Sequence, residues 1–176
     1  SKSNSRPVSN AAYPTPVAEW DFTKDLRDRI GTMDATIVGP AIRTEEGLVL
    51  DGKSFARTSR LPKDITEKTF EVRVRLHSLN QAGGAAISIQ TMDGGTFDAI
   101  VYAEQESRRW MAGSEGFVRS QSYRAAAEDY VDKEAVVITQ VYRADGTIRA
   151  YRNGLPYGEA ISKSNAVTFE AATAHV

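Results

Sequence analysis

Two turn dipeptides, Asp145-Gly146 and Asn153-Gly154, stand in "RADGTIRAYRNGLPYG" with six residues between Gly146 and Asn153. Both tolerate the positive φ that tight hairpin turns require, and six residues is the length of one ordinary strand. A chain that reverses so often predicts a β-meander here. Upstream, "TFEVRVRL" has period two. Phe70, Val72, Val74 and Leu76 share one face; Glu71, Arg73, Arg75 and His77 share the other. That is the pattern of a strand with one buried side. "AAISIQT" repeats it through Ile87 and Ile89, and "FDAIVYAE" follows a turn at Asp93 to Gly95. The β-branched run "AVVITQVYR" suits a strand with little solvent on either face. "YRAAAEDYVDKEA" contains good helix formers but its apolar positions are poorly periodic. It predicts a loop with one or two helical turns at most. Many short strands between Gly, Asp and Asn turns indicate an all-β, two-layer antiparallel sandwich.

The inventory of side chains removes several chemistries. There is no cysteine, which excludes disulfides, a thiol nucleophile and a cysteine-type zinc site. His77 and His175 are the only histidines, too few for a multi-histidine metal centre. Lys plus Arg is 22 against 23 Asp plus Glu, so no basic surface calls for nucleic acid. No apolar run approaches the roughly 18 residues of a membrane span, so no membrane insertion is expected. Residues 1–18 are rich in Ser, Asn, Ala and Pro and read as a flexible linker or tail; the folded domain is expected over 19–176.

Six phrases then follow in order: "EWDF", "DRIGTMDATIVG", "GLVLDGKSFA", "TFEVRVRL", "MAGSEGF" and "AVVITQVYRADGTIRAYRNGLPYGE". Together they resemble the laminin G-like domains of the concanavalin A-like lectin and glucanase jelly rolls, in a version found in large bacterial envelope proteins. The resemblance spans Glu19 to Ile161. It implies a jelly-roll sandwich with a first strand at Trp20 to Phe22 and an extracellular or periplasmic location. It also implies neighbouring domains of a larger protein as partners. Two departures stand out. The Trp-x-His that precedes the central strand in the family is "DKEAVVI" here, and the family's acidic last strand is not recognisable before the terminal "VTFEAATAHV". The expectation is therefore a sandwich lacking its C-terminal strand, with an open position beside Trp20 to Phe22.

For function, glucanases of this architecture carry a Glu-x-Asp-x-Glu strand whose alternation puts all three carboxylates on one face. The nearest match, Glu19-Trp20-Asp21-Phe22-Thr23, lacks the second glutamate, and Glu104 and Glu106 have no aspartate between them. The chain is expected to be no enzyme, with glycoside hydrolysis as a remote alternative. The loop "DLRDRIGTMD" offers Asp28 and Asp34 as oxygen ligands for a structural Ca²⁺, as the resemblance implies. The alternative is that these acids only solubilise and turn the loop. Sugars stack on aromatic faces and bond to planar polar groups. Tyr102, Arg109, Trp110, Arg119 and Tyr123 cluster in the most distinctive third of the chain. They are the expected ligand-binding set, although Trp110 could equally pack beneath a loop. The expected function is a non-catalytic module that recognises carbohydrate or another extracellular ligand. The alternative is a structural or protein-interaction module of a larger envelope protein.

Overall fold

A computed structural model describes residues 14–176. The first thirteen residues of the expected tail lie outside the described residues. The strands in chain order are β1 Ala35–Val38, β2 Ile42–Thr44, β3 Gly47–Val49, β4 Phe55–Thr58 and β5 Lys68–Val74. They continue with β6 Ala85–Thr91, β7 Phe97–Tyr102, β8 Trp110–Ser114 and β9 Val136–Tyr142. The last four are β10 Thr147–Arg152, β11 Leu155–Pro156, β12 Ile161–Ser162 and β13 Ala174–His175. A 3₁₀ turn at Glu115–Phe117 is the one helical element among the described residues.

The strands form an antiparallel two-sheet sandwich. One sheet runs β11-β10-β9-β5, with β12 also on β10; the other runs β13-β6-β7-β8. The β1–β4 pair continues the second sheet, because the Thr58 amide donates to the Val176 carbonyl at 2.9 Å and Arg60 bridges His175. Alternation decides what is buried. On β9, Val136, Ile138, Gln140 and Tyr142 are buried and the residues between them are half-buried. Facing them, Ile100 and Tyr102 of β7 and Trp110 and Ala112 of β8 complete the core. β9 lies between β5 and β10, which explains the uninterrupted β-branched run. The segment over 123–128 is irregular, with Arg124 at φ 53°, and a single turn follows at Tyr130 to Glu134.

The turns differ in type. Asn153 and Gly154 both have positive φ, 49° and 78°, as a type I′ turn requires. At Asp145-Gly146 only Gly146 does, at 83°. The Gly146 amide donates to the Arg143 carbonyl and the Arg143 amide to the Thr147 carbonyl. That is a type I turn closed by a left-handed glycine.

Two expectations are corrected. Trp20 to Phe22 is not a strand. Trp20 makes one bridge to Asp28, and then the Asp21 carboxylate accepts from the Thr23 amide and hydroxyl and turns the chain. Nor is the last strand position empty. Ala174–His175 pairs with β6 through Thr91 and Gln90, and on its other side the Leu61 amide donates to the Ala174 carbonyl. Ala174 is wholly buried. The short "AHV" lies between two partner segments, so its backbone groups are satisfied without a long strand.

His175 is buried in this seam, with its Nε2 3.2 Å from Gln90 and its Nδ1 3.1 Å from Met92. Burial, and then the charge of Arg57, hold its pKa below the ordinary value of about 6.5. A lowered base means the unfolded chain binds the extra proton first. The associated stability is complete above about pH 6.5 and is lost as pH falls through the folded pKa. The melting temperature should therefore drop between pH 7.5 and 5.5, and His175→Gln should flatten that drop.

The glycines give a second test. A Cβ on Gly154 would meet open space, so Gly154→Ala should cost about 1 kcal/mol of backbone strain alone. A Cβ on Gly158, at φ 66°, would run into the Tyr123 carbonyl. Gly158→Ala should be the more destabilising of the two in a denaturant titration.

Candidate functional site

The five residues expected to bind sugar do not form a surface. Trp110 is 1% exposed. Its Nε1 donates to Glu128 at 2.9 Å, and its ring meets the edge of Tyr102 at 5.0 Å. Tyr102 is equally buried and donates its hydroxyl to the Leu79 carbonyl. Tyr123 lies in the core against Tyr157, and burial pushes its hydroxyl pKa far up. Arg109 donates through Nε to the Ala125 carbonyl and through Nη1 to that of Ser107, tying down the 123–128 segment. The correction has a simple cause: alternation on β7 and β8 turns Tyr102 and Trp110 inward, so their aromatic faces are not available for stacking.

Arg119 has an interior role as well. Its Nε donates to Asp98 Oδ1 at 2.7 Å, Nη1 and Nη2 reach Glu115, and Nη2 also reaches the Phe97 carbonyl. Lys68 Nζ lies 2.7 Å from the other Asp98 oxygen, and the Lys68 and Asp98 side chains are 5% and 1% exposed. The ammonium also faces the rings of Tyr142 and Phe169 and the Thr66 carbonyl, so Asp98 Oδ2 receives its charge without a well-aligned hydrogen bond. Burial lowers the Lys68 pKa, and the Asp98 carboxylate opposes that. Since Lys68 is on β5 and Asp98 on β7, this pair joins the two sheets.

The expected calcium loop is filled from within. Asp28 Oδ1 accepts from the amides of Glu19 and Ile30, and Oδ2 from that of Met33. Asp34 Oδ1 accepts from the Asp28 amide. Burial opposes ionisation of Asp28, but these amides outweigh it and hold its pKa below the usual range. A cation prefers oxygen ligands and would meet N–H dipoles around Asp28. The loop does not fit Ca²⁺; the carboxylate itself organises the turn. Among the described residues no three His, Asp or Glu side chains gather in a way that could hold a metal ion.

The structure presents instead a groove of about 490 Å³ between the 125–130 segment and the β10–β11 edge. Its wall is the alanine run Ala125 to Ala127. Four contacts hold that run. The Glu159 amide donates to the Tyr123 carbonyl, and the Glu128 amide to that of Arg108. Arg109 bonds the Ala125 carbonyl, and the Tyr157 hydroxyl donates to that of Ala126 at 3.3 Å. In the groove, Arg152 Nε and Nη2 donate to the two oxygens of Glu128 at 2.6 and 3.0 Å. Glu128 is buried and Arg152 partly exposed, and the Glu128 bonds raise the Arg152 pKa. Burial pushes the Tyr157 hydroxyl up to about 12, so it stays a neutral donor. At the rim Tyr130 is 46% exposed and Asp129 faces solvent. The groove thus combines a half-exposed aromatic ring, with Lys133 Nζ 5.9 Å from its centroid, and a rigid, charge-balanced pair. Sequence reasoning missed it. Glu128 sits in a stretch that reads as weakly helical, and its partner Arg152 is 24 residues away across a hairpin.

No protein-family model, curated protein or solved structure matches the chain.

The Asp98 cluster gives a test of the interior assignment. Asp98→Ala would leave two cations, Lys68 and Arg119, buried beside no carboxylate, and should cost about 3–5 kcal/mol in chemical denaturation. Exchanging Lys68 for Met should cost less, because Arg119 still balances Asp98.

Proposed function

We propose that this chain is a non-catalytic recognition module that binds a carbohydrate in the groove between the 125–130 segment and the β10–β11 edge. The observation that carries the reading is the combination in one cleft of the exposed Tyr130 ring and the locked Arg152–Glu128 pair. The ring face turned away from Lys133 offers a sugar an apolar surface, and fixed planar polar groups take its hydroxyls. The state of Glu128, whose oxygens already accept from Trp110 and Arg152, supports a non-catalytic reading. The antiparallel sandwich is compatible with a laminin G-like jelly roll, which supports an extracellular or periplasmic location within a larger envelope protein. A structural or protein-interaction role is the second reading. Ile42, Val49 and Phe55, on the small β2–β3 and β1–β4 pairs, are about half exposed and favour it.

Affinity electrophoresis through neutral and acidic polysaccharides tests the first reading. The wild-type chain should be retarded by at least one glycan, and Tyr130→Ala should weaken that binding about tenfold while leaving the melting temperature unchanged. Trp110→Ala should instead melt the fold. Retardation that survives Tyr130→Ala overturns the groove assignment, and silence on every glycan leaves the interaction-module reading.

A further inference from the structure

The β11-β10-β9-β5 sheet ends in a seven-residue strand, β5, and among the described residues no segment pairs with its outer edge. The direction of the edge groups follows from the ladder. The Asn153 amide donates to the Val137 carbonyl, and the Val137 amide donates to Asn153 Oδ1, so the backbone of Val137 faces the β10 side. Its alternate neighbours Ile138 and Gln140 therefore face β5, where their partners are Val72 and Phe70. The backbone N–H and C=O groups of Thr69, Glu71 and Arg73 consequently point outward.

The side chains at this edge are self-complementary. Antiparallel pairing of β5 with a copy of itself about Val72 sets Glu71 opposite Arg73 of the second copy, and Arg73 opposite its Glu71. Residues 69 and 75 pair in the same way, and Phe70 meets Val74 on the core side. Sliding the partner by two residues centres the pairing on Glu71, which meets its own copy, or on Arg73, which meets its own copy while Glu71 faces Arg75. Only the Val72 register pairs outward-facing backbone groups so that opposite charges meet and no like charges stand opposite each other. A second feature favours coverage. Val72 and Val74 pack against the core but are only partly buried, whereas Ile138 and Val136, their partners on β9, are at most 3% exposed. A strand laid along β5 would shield them. Arg75 lies 3.8 Å from Glu46, so the β2–β3 hairpin marks one end of this edge.

We infer that β5 is a homodimer edge, across which two copies of the chain join their sheets antiparallel about Val72. The contact is isologous, as a two-fold dimer requires. It is independent of the groove, which lies at the opposite, β11 end of the same sheet.

Charge exchange tests both the contact and its register in sedimentation equilibrium on the whole chain. The wild type should show a reversible monomer–dimer equilibrium. Glu71→Arg alone and Arg73→Glu alone should each weaken it about tenfold or more, since each places like charges opposite one another at two symmetric positions. The double exchange Glu71→Arg, Arg73→Glu restores opposite charges and should restore dimerisation. Circular dichroism of each variant checks that the fold is kept. A wild type that stays monomeric at all concentrations overturns the inference. So do single exchanges that leave association unchanged, or a double exchange that remains as weak as the single ones.

Discussion

One buried carboxylate, Asp98, organises much of this molecule. It sits in the middle of the β13-β6-β7-β8 sheet and faces inward, where an uncompensated charge would be strongly unfavourable. Two cations meet it. Lys68 arrives from the opposing sheet, and Arg119 arrives from the chain that leaves β8 through the 3₁₀ turn. The first contact ties sheet to sheet. The second fixes where the 119–128 segment begins, and Glu115 and the Phe97 carbonyl take three of the four remaining guanidinium donors. Such a cluster adds little net stability over an apolar core of the same shape. Its effect is positional, because each cation is satisfied only when both sheets and the loop are in place.

From Arg119 the consequence runs outward. The segment continues as an irregular strip, with Tyr123 buried and Gly158 pressed against its backbone. Glu128 closes the strip by accepting from Trp110 in the core and from Arg152 in β10. The same carboxylate thus joins interior packing to the floor of the groove. Exposed residues of the groove can change without disturbing the core, whereas changes at Glu128 would be felt in both.

The two sheets manage their backbone differently. The β6 edge is closed by the C-terminal β13, which in turn meets Arg60 and Leu61, so the terminal residues lie inside an extended sheet. The other sheet ends at β5, whose outward groups carry Glu71 and Arg73. Charges on an edge commonly discourage pairing with arbitrary strands. Here their alternation is selective, opposing most registers and favouring one.

Period-two alternation in "TFEVRVRL" and the turn chemistry of Asn153-Gly154 were enough to determine strands, hairpins and an all-β sandwich. These are local properties: a side chain's face and a residue's tolerance of positive φ depend on near neighbours alone. Asp28 and Asp34 were legible as loop organisers, but not as carboxylates saturated by amides, because that depends on where the loop folds. Trp110 read equally well as a sugar platform or as a residue packed beneath a loop, and Tyr102 read as part of the platform, since composition does not say which way β7 and β8 face. The seam around His175 was illegible, because a two-residue strand has no periodicity and exists only through its partners on both sides. The Asp98 and Glu128 clusters were illegible for the same reason. Their charged partners lie 21 to 30 residues away in sequence, and only the tertiary fold brings those charges within hydrogen-bonding distance.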